Sequence, residues 1–253
     1  MHILISNDDG IHAPGINRLR MSLEEIARVY VSAPDRERSA TGHQITMHRP
    51  IWAKKKRYSD SETMGWAVDG TPADSVKLAI DELLPVQPDL VIAGINQGPN
   101  LGTDVLYSGT VSAALEANLS GYPAIAISLA SYETREFSQA GDFIKLFVAK
   151  HCESLPKKTL LNINVPAGTP KGVRITRLGI REYRNVFSKR IHPRGGTYYW
   201  MAGEHLDIDG NEPDTDAWAV NNGYISITPL QCDLTDYRGL SDTRSMFNVL
   251  VLP

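Results

Sequence analysis

The sequence predicts an α/β fold of three layers, α/β/α, in which helices cover both faces of a mostly parallel sheet and a β-rich C-terminal extension follows. Short apolar runs that read as strands buried on both faces alternate with segments of helical period. Those runs open into polar or glycine-rich loops. After Gly172 the alternation gives way to strand-like pieces between polar turns. Alternation of this kind means parallel strands joined by right-handed helical crossovers.

The first strand is Ile3-Leu4-Ile5, and Asn7-Asp8-Asp9-Gly10 ends it abruptly. Residues 15–29 carry Ile16, Leu19, Leu23, Ile26 and Ala27 at close to helical spacing and return the chain to a second strand, Val29-Tyr30-Val31-Ser32-Ala33. Pro34 stops it, and a polar loop runs to His43. Residues 44–69 lack helical period; they read as short strands, with Lys54-Lys55-Lys56-Arg57 as a solvated hairpin. Thr71 as N-cap, Pro72 at the first helical position and Asp74 three residues on mark a helix start, with Val76, Ala79, Ile80, Leu83 and Leu84 as its buried face. Leu90-Val91-Ile92-Ala93 is the next strand, and it opens into the long glycine-rich loop 94–110 before a small-residue helix ended by Gly121. A fifth apolar strand (123–129), an amphipathic helix (137–151) and a strand (160–165) complete the repeating pattern.

Residues 1–171 are therefore expected to form the core, and 172–253 an extension packed on it, with strands at 173–178, 197–201 and 224–230. The acid- and glycine-rich segment 207–216 reads as a flexible or subunit-edge loop. A chain of 253 residues and 27.9 kDa, 42% apolar and 22% charged, is an ordinary globular composition with room for one large core. A net charge of −3 and a pI near 6.2 argue against nucleic-acid polymers or anionic membranes as partners, while a small anionic substrate fits. No apolar run approaches the ~20 residues that span a bilayer, and the N-terminus enters a strand, so the cytoplasm is the expected location. Cys152 and Cys232 lack metal or disulfide spacing and read as reduced packing residues.

Asp8 and Asp9 lie just past a strand's carboxyl end, where open α/β sheets bind ligands. Gly10 permits the turn that lets both reach one ligand. Two adjacent carboxylates repel unless a cation lies between them, and oxygen donors suit Mg²⁺ or Mn²⁺. An isolated Asp-Asp-Gly is also an ordinary solvated turn, so the rest of the chain must supply partners. The glycine-rich loop does so: run into a helix N-terminus it forms an anion site, and Ser108-Gly109-Thr110 is the expected phosphate seat, with Asn7 and Asn96 as further contacts. Neither a Walker lysine motif nor a G-x-G-x-x-G fingerprint is present, which disfavours ATP hydrolysis and dinucleotide binding.

Six blocks, Ser6-Asn7-Asp8-Asp9-Gly10, Ala33-Pro34-Asp35-Arg36-Glu37-Arg38-Ser39, Gly70-Thr71-Pro72-Ala73-Asp74, residues 94–110, Asn162-Ile163-Asn164-Val165-Pro166 and residues 223–230, together resemble the stationary-phase survival protein SurE family across nearly the whole chain. The resemblance implies a Rossmann-like core, a metal-dependent phosphatase of nucleoside 5′- and 3′-monophosphates, and a homodimer or homotetramer held by a C-terminal arm. It also implies one divalent cation per subunit on Asp8, Asp9, Ser39 and Asn96, and catalysis by Asp8 or Asp9. Ser75 stands where many relatives carry cysteine and Ala117 where glycine is usual; neither is a ligand position. Of the histidines only His43, beside the Ser39 loop, is a candidate proton donor, and a loop contact suits it better. Two rivals are a phosphoryl-accepting receiver module, which would leave half the chain unexplained, and a nucleotide sensor that uses the same loops without turnover.

Overall fold

In the computed structural model of the chain, residues 1–201 and 203–247 are described. The first half runs β1 (His2–Ser6), α1 (Pro14–Glu24), β2 (Arg28–Pro34), β3 (Ala53–Tyr58), β4 (Ser61–Val68), α2 (Pro72–Leu78), β5 (Leu90–Gln97) and α3 (Gly109–Leu119). It continues through β6 (Ala124–Ala130), α4 (Ser138–His151), β7 (Leu160–Pro166), β8 (Val173–Ile175), β9 (Arg181–Arg184), β10 (Phe187–Ile191), β11 (Thr197–Met201), β12 (Glu204–Asp207), α5 (Asp216–Asn221), β13 (Ile225–Pro229) and α6 (Gly239–Phe247).

Nine strands form the main sheet in the order β3-β4-β2-β1-β5-β6-β7-β13-β8. From β4 to β7 neighbours pair in parallel, as the alternation predicts. Antiparallel partners stand at both margins: β3 beside β4, and β13 beside β7. Alternate residues of β1 feed opposite layers. Ile3 and Ile5 pack with Ile16 and Leu19 of α1 and Ile144 of α4, whereas Leu4 packs with Val76 of α2 and Val111 and Ala114 of α3. The alanines Ala113, Ala114 and Ala117 are fully buried, so small side chains let α3 lie close on the sheet.

The predicted start of α2 is realised in full. Thr71 Oγ1 accepts from Asp74 N at 3.0 Å and Asp74 Oδ2 accepts from Thr71 N at 2.9 Å, a reciprocal capping box. One π-helical turn, Ala79–Leu83, carries the helix on to the predicted apolar positions.

From β1 the chain builds outward through β2 and β4, then crosses to the other side of β1 with β5. The loops after β1 and β5 thus diverge from neighbouring strands, and the crevice at their carboxyl ends is the topological switch point.

Of the strands beyond residue 172, β8 and β13 join the main sheet, and the rest form two separate antiparallel pairs, β9 with β12 and β10 with β11. Of the two readings of segment 207–216, a flexible or a subunit-edge loop, the flexible one gives way, because the segment is tied down within the chain. Arg177 pairs with Asp209 at 2.6 Å and Asp214 at 2.9 Å, and also with Glu212. Arg181 bridges Asp207 and Asp104, both at 2.7 Å. The acids that suggested mobility are there to meet two arginines. Residues 248–253, the end of the expected arm, lie outside the described residues. Among the described residues no helix is long and apolar enough to cross a membrane.

Candidate active site

Asp8 is buried, 5% exposed, beneath the first turn of α3. Thr110 donates to its Oδ1 through the hydroxyl and to the carboxylate through its backbone N–H, so Asp8 occupies the positive end of the helix. Only glycine at position 109 allows the approach: a Cβ there would stand 2.7 Å from Asp8 Cβ and 2.9 Å from Oδ2. Ser108 caps the same helix, its Oγ accepting from Val111 N at 3.1 Å, while its own hydroxyl hydrogen remains a donor.

Asp9 is half-buried and accepts from the backbone N–H of Gln97 at the end of β5, which places it beside Asn96. Asn96 Nδ2 donates to Gly98 O at 2.8 Å, leaving Oδ1 as the end a cation would use. Ser39 lies on the loop that abuts the β1 turn, where Arg38 N donates to Asp8 O at 2.7 Å. Its hydroxyl is exposed and points to Glu37 Oε1 at 2.8 Å. Gly10, at φ +97°, lets the β1 turn press on this loop, since a Cβ would meet the Arg36 carbonyl carbon at 2.9 Å.

Two expected phosphate contacts have other roles. Asn7 is fully buried, with one Nδ2 hydrogen donated to Gly10 O at 2.9 Å, which shapes the turn. Its Oδ1 is an acceptor without a protein partner, which suits a water or a cation and not an anion. The Thr110 hydroxyl and amide are committed to Asp8 and the Val111 amide to Ser108, so a phosphate at this helix would be met by the Gly109 amide and the Ser108 hydroxyl.

Burial pushes the Asp8 carboxyl above the usual carboxylate range, against the Thr110 hydrogen bonds that favour its ionised form. Asp9 is pushed up to about 6, by burial first, then by the Asp8 charge and, more weakly, by Glu37. Gln97 N–H and Arg135 oppose that rise. A buried acid whose charge raises its half-buried neighbour, with an orphaned amide oxygen in the same turn, fits a hard divalent cation held by oxygen atoms.

A cavity of about 450 Å³ opens elsewhere, between the α2 and α3 surfaces, lined by Lys77, Asp81, Glu116 and Tyr122 among others. Asp8, Asp9 and the Ser108-Gly109-Thr110 turn take no part in its lining. His43 is drawn towards that cavity: its Nε2 lies 2.8 Å from Glu116 Oε2, and Lys77 Nζ lies 3.3 Å from Oε1. The His43 partner holds the Glu116 carboxyl below its usual range. This is the loop contact anticipated for His43.

The Survival protein SurE family model matches residues 3–185. The chain belongs to the SurE family. A SurE relative from Pelotomaculum thermopropionicum, curated as 5′-nucleotidase SurE, is 64% identical over 238 residues, covering 94% of this chain and 92% of the relative. One of the same name from Desulforudis audaxviator is 56% identical over 244 residues, covering 95% of each. The crystal structure of the SurE protein from Aquifex aeolicus superposes with a TM-score of 0.83 at 41% identity, spanning 97% of this chain and 99% of that one. The SurE-type α/β fold predicted from the sequence is thus the fold observed.

Three groups at this SurE site escaped the sequence reading. Glu37, within the recognised loop, adds a third negative charge near the acid pair. Gln97 positions Asp9 through its backbone, which no side-chain motif records. Arg135 comes from the β6–α4 loop, donating to Gln97 Oε1 at 3.1 Å, and its nearness to Asp9 depends on the parallel pairing of β5 with β6.

Proposed function

We propose that this chain is a divalent-metal-dependent phosphatase that hydrolyses nucleoside 5′-monophosphates, and 3′-monophosphates, to nucleoside and phosphate. One observation carries the proposal: at the switch point of the sheet, Asp8 sits at the helix N-terminus formed by the Ser108-Gly109-Thr110 turn, and Asp9 beside it is held by the end of β5. Relatives of high identity named 5′-nucleotidase SurE support the same activity. No feature favours a sensor without turnover.

Asp8, Asp9, Ser39 and Asn96 would hold one Mg²⁺ or Mn²⁺; Ser39 would have to turn from Glu37 to do so. Bound there, the ion would supply a Lewis acid for a phosphoryl oxygen and lower the pKa of a water. The chain's own groups do the rest. The Ser108 hydroxyl and the Gly109 amide, the first of α3, hold the charge that spreads over the phosphoryl oxygens. Asp8 is locked by Thr110, whereas Asp9 faces the crevice half-exposed, so Asp9 is the carboxylate assigned to take the proton from the attacking water. Arg135, tied to Gln97, offsets negative charge beside Asp9.

A cytoplasmic homodimer or homotetramer completes the proposal, with residues 1–171 as the catalytic core and 172–253 as extension and arm. Its support is the β10–β11 hairpin, which presents Phe187, Ile191, Trp200 and Met201 to solvent, a surface that a second copy would cover.

The deciding experiment is phosphate release from a panel of monoesters and diesters with metal added or withheld. A monoester phosphate carries about −1.5 to −2 charges near neutral pH and complements one divalent ion plus a helix N-terminus. A diester carries a single charge and a second arm. Nucleoside monophosphates should be cleaved at least about tenfold more efficiently, equivalent to about 1.4 kcal/mol. Full activity after exhaustive chelation rejects the metal, and preferential diester cleavage rejects the monoesterase.

A further inference from the structure

We propose that Tyr132 is the shelf on which the nucleobase of the substrate stacks. This rests on the nucleotidase reading above and extends it from the phosphate to the other end of the substrate.

Pairing of β5 with β6 sets Asn96 opposite Ser128 and Gln97 opposite Leu129, so the loop after β6 emerges beside Gly98. Tyr132 is on that loop. Asn96 Nδ2 donates to Gly98 O at 2.8 Å, so the Asn96 side chain and the Tyr132 ring meet at the same residue of the crevice.

The ring is seated on Gly98. A Cβ at that position, where φ is +106°, would fall 2.2 Å from Tyr132 Cε1 and 2.8 Å from Cζ, so the ring lies directly on bare backbone. The seat is secured on both sides. Gly98 N donates to Leu129 O at 2.9 Å and Gln97 Nε2 to Tyr132 O at 3.2 Å. Ser131 Oγ accepts from Glu133 N at 3.2 Å and Thr134 N at 3.3 Å, closing the loop on itself.

Despite this seat, Tyr132 is 73% exposed. A large ring fixed on one side and open on the other is ready for a flat partner, and its order is established before the partner arrives. Tyr183 and Arg181, both bonded to Asp104, bring the extension to the same rim. Stacking reads a π-face and not a hydrogen-bond pattern, so all bases should be accepted, with purines ahead of pyrimidines.

The test compares a nucleoside 5′-monophosphate with ribose 5-phosphate, which lacks a base, in wild type, Tyr132→Phe and Tyr132→Ala with metal present. The ratio of kcat/KM for the nucleotide to that for ribose 5-phosphate should fall about tenfold in Tyr132→Ala through KM, and should be retained in Tyr132→Phe. Equal losses on both substrates, or an unchanged ratio, would overturn the shelf. Wild-type protein that releases phosphate from neither substrate would instead overturn the nucleotidase reading on which the shelf rests.

Discussion

Gly109→Ala sets two physical effects of opposite sign against each other. Judged as a helix substitution it should stabilise, since alanine in place of glycine favours a helix by up to about 1 kcal/mol. Judged by its surroundings it should not. The new methyl would stand 2.7 Å from Asp8 Cβ, where carbon atoms ordinarily approach to about 3.5–4.0 Å. The helix start and the carboxylate would therefore have to part by about 1 Å. Neither yields easily, because Asp8 is buried in the turn directly after the central strand β1 and α3 is packed on the sheet through its alanines. Overpacking of this kind costs about 1–3 kcal/mol, so the net expectation is a loss of about 0–2 kcal/mol. Function should suffer more, because a misplacement of about 1 Å costs on the order of 100-fold in rate. Thermal unfolding, calorimetric metal titration and kcat/KM on a nucleoside monophosphate measure the three consequences. A Gly109→Ala protein with raised Tm and wild-type kcat/KM would refute the close approach.

Three further outcomes follow from the same geometry. With Asp9 near 6 in the folded chain against 3.8 ordinarily, the native state binds the extra proton, so the metal-free protein should gain stability as pH falls from 7 through 6 towards 4. The gain is read as the Tm difference between wild type and Asp9→Asn in chelator, and a difference that is flat or shrinks the other way contradicts it. Asp216→Ala removes the acceptor for Gly102 N at 2.8 Å, Gly179 N at 2.9 Å and Ala217 N at 2.8 Å, and should cost about 2–4 kcal/mol by chemical denaturation. Light scattering at micromolar concentration should give a multiple of 27.9 kDa, and a monomer mass would reject the oligomer.

What the sequence disclosed was what local chemistry governs. The apolar run Ile3-Leu4-Ile5 reads as a buried strand because both its faces are covered, and Thr71 with Asp74 reads as a helix start because the capping box is local. Asp8 and Asp9 drew attention from their place past the end of a strand, whereas Asn96, at the end of the adjacent parallel strand β5, was named through the family resemblance. Long-range pairing was not legible. Nothing in Thr110 announces that its hydroxyl belongs to an acid 102 residues earlier, and Asn7 resembles a ligand until its amide is seen to close the turn. The acids of 207–216 looked solvated because Arg177 and Arg181 lie some thirty residues upstream in sequence yet adjacent in space. The short helices α5 and α6, of six and nine residues, are too brief for periodicity to reveal.

Because the Asp8 carboxylate receives the Thr110 amide, the site and the first turn of α3 are thermodynamically linked, and each must report on the other. Neutralising Asp8 loosens that turn, and fraying the turn weakens whatever Asp8 holds. Hydrogen–deuterium exchange at two backbone amides, Thr110 on Asp8 and Val111 on Ser108, is therefore a label-free gauge of any change in the Asp8 carboxylate, read at the helix start.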